Sequence, residues 1–306
     1  VKTILCPTDF SDASRHAIDH AIALALWYRA RIAALHVYTP IFMPVPGLPP
    51  PEARVPDGEL DRVRAETAQC FSPATAAGIE VHILIDVGRP APQILDRAEA
   101  LPADLIVMGT HGAGGFEHLL LGSVTEKVLR RAACPVLTVP PGAQATSALP
   151  YRRVLCAVDF SDPSLRALEL ACSIAGQSGA TLTSVHVIEW PWHEPPAPGP
   201  GALPPAQADA LAEFRRYLET TARNRLEALV PESMCRCPAG SIVAHGRPYV
   251  ELLRIAGEIK TDLIVIGVHG RNVAGLTLFG STTNQVVRRA TCPVLTLRYE
   301  GAAGRR

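Results

Sequence analysis

The chain repeats itself, and the repeat bounds what it can fold into. Leu5-Cys-Pro-Thr-Asp-Phe-Ser-Asp12 returns as Leu155-Cys-Ala-Val-Asp-Phe-Ser-Asp162, 150 positions later, and Leu35-His-Val37 returns as Val185-His-Val187 at the same offset. From Gly88 and Gly246 onward the offset is 158, so eight extra residues enter the second copy between its second and third strands. A chain of 306 residues therefore holds two domains of one design. The boundaries expected are 1–140 and 151–299, with a Pro-, Gly-, Ala-, Ser- and Thr-rich linker at 141–150 and a tail at 300–306.

Each copy alternates short apolar runs with helical patterns. In the first, Thr3 to Thr8 reads as a strand. Ser11 or Asp12 can cap a helix from about Ala13 to Tyr28, whose apolar stripe includes Ala17, Ile18, Ala21, Ile22 and Ala25. Arg31 to Tyr38 is a second strand, Gly58 to Cys70 a helix that Pro73 bends or ends, and Glu80 to Val87 a third strand. A helix entered through Pro90 and Pro92, the run Asp104 to Met108, a glycine loop, a helix to Arg131 and the strand Pro135 to Val139 complete the unit. The second copy keeps the order, with Ala206 to Leu229 as a long second helix. Pro40 to Pro56 and Pro191 to Pro205 read as surface connections. Strands alternating with helices imply a parallel sheet covered on both faces, hence two tandem flavodoxin-like, or Rossmann-like, α/β domains.

The chemistry is concentrated in the glycine loops. Gly109-Thr-His-Gly112, nine residues, then Gly122-Ser123 stands between the fourth strand and the last helix, and Gly267-Val-His-Gly270, nine residues, then Gly280-Ser281 stands in the same context. Glycine lets a main chain approach a ligand closely. A helix start offers unpaired N–H groups and a positive dipole end, so the N–H groups of Ser123, Val124 and Thr125 and the Ser123 hydroxyl suit an anion. Hydrogen bonds to charged groups contribute about 1.5–3 kcal/mol each. In open parallel sheets ligands sit at the carboxyl ends of strands. Asp9 and Asp159, which end the first strands, would face the loops there if strands one and four are neighbours. A carboxylate opposite a phosphate cradle suits a nucleotide better than bare phosphate.

Other readings of the same residues stand beside these. Ser123-Val-Thr-Glu126 is a capping-box pattern in which the serine only caps its own helix, although Ser281-Thr-Thr-Asn284 keeps the serine without the acidic partner. The glycines read as turn residues, and Asp9 as a turn residue. His111 and His269 either touch phosphates or face solvent, whereas His36 and His186 read as strand residues with satisfied rings. Arg130-Arg131 and Arg288-Arg289 end helices, where cations suit the dipole.

Composition excludes several classes. Net charge is zero, so no basic excess points to nucleic acid or an anionic membrane. The longest apolar stretch, Ala21 to Tyr28, is too short to span a bilayer, and no leader is expected ahead of the first strand. Eight cysteines without a disulfide framework read as buried thiols of a reducing compartment, the cytoplasm; Cys235-Arg-Cys237 is the one pair with a metal or redox alternative. Walker, dinucleotide-fingerprint and nucleophile-elbow motifs are absent, and no residue set positions a nucleophile for turnover.

Pro7-Thr-Asp-Phe-Ser11, the Gly-x2-Gly-x9-Gly-Ser pattern and the Cys-Pro-Val-Leu-Thr endings together resemble the universal stress protein family in its tandem two-domain form, over nearly the whole chain. The resemblance implies a five-stranded parallel sheet of order 3-2-1-4-5 in each domain, pairing of domains through Val136 to Val139 and Val294 to Leu297, and ATP, with Mg²⁺, as ligand. By position it implies that Pro7, Thr8, Asp9 and the backbone near Val37 hold the adenosine, and that Met108, Gly109, His111, Gly112, Gly122, Ser123, Val124 and Thr125 line the phosphate side. In the second copy the matches are Asp159, Val187, Ile266, Gly267, Gly270, Gly280, Ser281, Thr282 and Thr283. That copy departs at Ala157-Val158, where the first has Pro7-Thr8, and at Val268 for Thr110.

The function expected is that of a cytoplasmic stress-response regulator that binds an adenine nucleotide and is not an enzyme, weak ATP hydrolysis aside. Its partners are expected to be the paired domain, a second copy in a homodimer and a regulatory protein. A nucleotide-free, chaperone-like scaffold and a slow ATPase or phosphotransfer enzyme are the rivals. Gly109→Val is expected to abolish binding at the first site while leaving the fold intact.

Overall fold

The computed structural model describes residues 1–40, 55–110, 121–141, 143, 151–189, 205–230, 236–268, 272–273, 276–277 and 280–298. The chain divides into two compact units. One comprises Val1–Leu149, His269–Gly280 and Val287–Arg306, the other Pro150–Val268 and Ser281–Val286.

In the first unit the elements run β1 (Thr3–Thr8), α1 (Asp12–Tyr28), β2 (Arg31–Tyr38), α2 (Glu59–Cys70), α3 (Ser72–Ala76), β3 (Val81–Val87), α4 (Pro90–Ala100), β4 (Leu105–Gly109), α5 (Ser123–Arg131) and β5 (Val136–Val139). Strand order is β3-β2-β1-β4-β5, all parallel, which is the expected 3-2-1-4-5. The strands at the centre are apolar on both faces. Ile4, Leu5, Cys6, Ile106 and Val107 have no exposed surface, as a sheet covered on two sides requires. Ser11 caps α1 by accepting from the Ser14 N–H, and Arg29 closes it in the left-handed conformation, φ 53°, that Gly179 takes in the second copy.

The second unit builds the same pattern from β6 (Arg153–Ala157), α6 (Asp162–Ser178), β7 (Thr181–Ile188), α7 (Pro205–Leu229), β8 (Ala239–His245), α8 (Pro248–Glu258) and β9 (Leu263–Val268), in the order β8-β7-β6-β9. The hairpin of β10 (Asn272–Val273) and β11 (Leu276–Thr277), which the sequence pattern does not announce, precedes α9 (Ser281–Arg289) and β12 (Val294–Arg298). Strand β12 lies with the first unit, where it pairs antiparallel with β5 through Leu295 opposite Leu137. The buried Thr138 and Thr296 hydroxyls donate to Val294 O and Val136 O, and Arg298 Nη1 donates to Arg130 O.

Two details are written twice. Asp104 precedes β4 and accepts the main-chain N–H groups of Lys2 and Thr3, while Asp262 does the same for Arg152 and Arg153. Burial pushes the Asp104 carboxyl up, but these bonds and the charges of the N-terminus and Lys2 outweigh it and hold the group below its ordinary value. Gly109 at the end of β4 and Gly267, one residue before the end of β9, lie hard against the first helices. A Cβ on Gly109 would come within 2.9 Å of Ala13 O, and one on Gly267 within 2.6 Å of Pro163 C and O. The expectation that Gly109→Val spares the fold is therefore corrected, because the added carbon meets helix backbone before it meets any ligand.

One detail is written differently in each copy. Asp86 on β3, 7 % exposed, receives a bidentate pair of bonds from Arg97 on α4, whereas the same positions of the second copy are the buried Ala244 and Ile255. Six cysteines, Cys6, Cys70, Cys134, Cys156, Cys172 and Cys292, are free thiols, and burial pushes Cys134 up to about 11. Cys237 is disulfide-bonded, which corrects its reading as a further free thiol.

Two stability experiments follow from this packing. Alanine at either close glycine overpacks the strand–helix contact at a cost of about 1–3 kcal/mol, and urea unfolding is expected to show the larger loss for Gly267→Ala. Arg97→Ile alone strands a buried carboxylate and costs about 2 kcal/mol. The double change Asp86→Ala/Arg97→Ile, which copies the second repeat, is expected to recover most of that loss in the same measurement.

Candidate functional site

Strand pairing brings the two halves of the sequence motif to one edge of the first unit. Strand β1 lies beside β4 with Leu5 opposite Ile106, so three residues on Thr8 stands level with Gly109. On its other side Thr8 is opposite His36 on β2, next to Val37. The carboxyl ends that carry Asp9, Val37 and Gly109 therefore open on the same side of the sheet, the side where ligands bind in folds of this kind. Pro7, Thr8 and Met108 are buried there, Val37 is half-buried and Asp9 is exposed.

The base of the glycine loop is pinned by main-chain bonds. Thr110 N–H donates to Val139 O, and Gly122 N–H donates to Thr110 O at 2.8 Å, so the loop leaves and returns at one point. Helix α5 has Gly122 as its N-cap, and its ladder begins with Glu126 N–H to Gly122 O. The N–H groups of Ser123, Val124 and Thr125 precede that first bond and face out of the helix start. Ser123, exposed, is the first helical residue and not the cap. Glu126 turns instead to Arg130, 2.7 Å away, and Arg288. The capping-box reading is thus corrected: no side chain caps this helix. The Thr125 hydroxyl, buried, donates to Gly109 O at 2.9 Å, so what Thr125 presents outward is its N–H. His111 and Gly112 lie outside the described residues, as do His269 and Gly270.

The acid end is a tight turn built around an aromatic residue that the sequence reading passed over. Phe10 and Phe160 sit at φ 64° and 62°, a left-handed conformation that bulky residues rarely take. Asp9 Oδ1 accepts the N–H of Ser11 at 3.1 Å, and Asp159 Oδ1 accepts that of Ser161 at 3.1 Å, so each acid closes its own turn with one oxygen. The turned-out ring packs on the next strand, Phe10 on His36 at 4.4 Å and Phe160 on His186 at 4.5 Å. Each histidine Nδ1–H donates to the carbonyl at the end of strand one, Thr8 or Val158, which bears out the reading of satisfied rings. Burial lowers His36 below its ordinary value, against the Thr8 bond and the charges of Asp9 and Glu66, and so favours the neutral ring. The signal for Phe10 and Phe160 was present in the duplicated Asp-Phe-Ser, a pattern read only for its acid and its cap.

The second unit has the same parts with looser fastening. Ala157 is opposite Ile266, so Val158 stands level with Gly267. Val158 has no hydroxyl to match that of Thr8, which accepts the Phe10 N–H; in the second turn a different N–H, that of Asp159, donates to Ser164 Oγ. The Thr283 hydroxyl reaches Gly267 O at 3.4 Å, against 2.9 Å for Thr125. Gly280 precedes Ser281, which is exposed at the start of α9 with Thr282 half-buried behind it; Val187 is half-buried and Ile266 buried. Among the described residues no cluster of three His, Cys, Asp or Glu could hold a metal ion by itself. A Mg²⁺ here would have to be held chiefly by phosphate oxygens and water, as that ion commonly is, and the exposed Ser123 hydroxyl fits such a role. No helix among the described residues is long and apolar enough to cross a membrane.

Comparison with known proteins places this geometry. The model of the Universal stress protein family matches residues 1–140 and 150–298. A universal stress protein of Methanocaldococcus jannaschii is 40 % identical over 140 residues, 45 % of this chain and 81 % of that protein. One of Mycolicibacterium smegmatis is 27 % identical over 313 residues, 96 % of each chain. In three dimensions the crystal structure of a universal stress protein from Archaeoglobus fulgidus superposes with a TM-score of 0.61 at 24 % identity, covering 97 % of this chain and 98 % of that one, a likeness of fold. With two matches that together span most of its length, this chain belongs to the universal stress protein family, in a tandem two-domain form.

Proposed function

We propose that the protein binds ATP, accompanied by Mg²⁺, in one or both repeats and acts as a regulator of a stress response rather than as an enzyme. The observation that carries this is the helix start at Ser123, without a side-chain cap, which follows the strand next to the one that leads into Asp9. Three outward N–H groups, an exposed hydroxyl and the positive end of the helix dipole suit the phosphates. Asp9 and the main chain near Val37 suit the sugar and base. Asp159, Val187, Gly267, Ser281 and Thr283 offer the same set in the second repeat. Nucleotide binding at this end of the sheet would change a surface that a regulatory protein reads. The reading includes the cytoplasm as the compartment and a second copy of the chain as a partner. It treats slow hydrolysis as incidental.

The rival is a nucleotide-free scaffold, favoured by one specific observation: the pairing of β5 with β12 joins the last strands of the two repeats without needing a ligand. Mass spectrometry of freshly purified protein, followed by calorimetry with Mg-ATP, separates the two. Adenine nucleotide is expected in the preparation, and ATP is expected to bind. Ser123→Glu or Ser281→Glu, each placing a carboxylate at one helix start, is expected to remove one site's worth of heat while leaving the unfolding midpoint nearly unchanged. Absence of binding by any adenine nucleotide at millimolar concentration supports the scaffold and sinks the ATP reading.

A further inference from the structure

The helix beside the second acid turn sets a cation against it, and the matching position of the first repeat is an acid. In the second unit Arg225 of α7 lays its guanidinium over the Phe160 ring at 4.2 Å, and the same ring lies against His186. The equivalent position in the first unit follows from the buried stripes of the helices: Val63 and Thr67 on α2 correspond to Ala222 and Leu226 on α7. The residue before Thr67 is Glu66, and the residue before Leu226 is Arg225. Glu66 acts electrostatically on His36, the ring beneath Phe10, so its charge is felt at the first acid turn. It is half-buried and lies 3.7 Å from Arg62, whose guanidinium is engaged by Glu59.

A guanidinium keeps its N–H donors in its own plane, as a fork that matches phosphate oxygens. Among the described residues none accepts a hydrogen bond from Arg225. The side chain is also exposed, one residue from Asp159 by way of Phe160. The first site offers two carboxylates at this end, Asp9 and Glu66, where the second offers one carboxylate and one cation.

We propose that Arg225 sets the ligand preference of the second site toward a nucleotide bearing an additional phosphate on its ribose, and that Glu66 sets the first site against it. The proposal rests on the reading that Asp9 and Asp159 face the sugar end of a bound nucleotide, and it adds that the two repeats are not interchangeable receptors. AMP and adenosine 3′,5′-bisphosphate differ only in the ribose phosphate and are the probes. Calorimetry on the full chain carrying Ser123→Glu reports the second site alone, and on the chain carrying Ser281→Glu the first.

At the second site the bisphosphate is expected to bind tighter than AMP by about fivefold or more, a gain that Arg225→Glu removes or reverses. At the first site AMP is expected to bind tighter, and Glu66→Arg is expected to invert that order. Equal affinities for the two probes at the second site, or a ratio unmoved by Arg225→Glu while AMP and ATP still bind, overturns this proposal and leaves nucleotide binding standing. Failure of every probe, ATP included, overturns the nucleotide reading itself.

Discussion

The near-contact between Gly109 and the first turn of α1 is the constraint on which the site depends. Ala13 lies four residues beyond Asp9, and Gly109 opens the loop that ends at Ser123. Holding these two backbones so close that a methyl group cannot enter between them fixes the acid turn and the helix start relative to one another. The bond from Thr125 to Gly109 O then ties the helix to the same strand end. Glycine is required here by packing before any ligand arrives, and the same absence of a side chain leaves room at the strand end. A site assembled this way is preorganised, since its parts are positioned by the core and not by the ligand.

Duplication followed by drift has left two answers to each local problem. One repeat neutralises a half-buried strand end with Asp86 and Arg97; the other fills the space with Ala244 and Ile255. In one turn the Phe10 N–H finds the Thr8 hydroxyl; in the other, with Val158 in place of threonine, it is the neighbouring Asp159 N–H that is bonded, to Ser164 from the next helix. The fold tolerates both because what it needs is a satisfied N–H and a filled volume, not a particular residue. What both copies retain is narrower: the left-handed phenylalanine, the histidine beneath it, the close glycine and the exposed serine at a helix start.

Much of this was legible in the sequence, because it rests on periodicity and on local rules. The repeat gave the number of domains, apolar runs gave the central strands, and proline and glycine marked the connections. The Gly-Ser before an amphipathic run located a helix start, although the cap fell on Gly122 and not on Ser123. That distinction depends on where Thr110 directs its carbonyl, a tertiary fact. Phe10 was not legible as a residue of positive φ, since its ring packs on His36 of a neighbouring strand, a partner that local sequence does not reveal. Asp104 gave no sign of its task, which is to hold the start of a strand some hundred positions earlier. The pairing of β12 with β5 had no local signature and was expected from the family resemblance alone, being a matter of which edge its hydrogen bonds reach.

That last strand has a consequence for how the protein comes into being. On the ribosome, β5 emerges about half a chain before β12, and until the C-terminal residues are made its outer N–H and C=O groups have no strand to meet. An unmet edge is a template for other chains, and contacts between positions so distant in sequence form late. Truncation near the C-terminus would therefore be felt in the N-terminal half, as an open edge on an otherwise finished sheet.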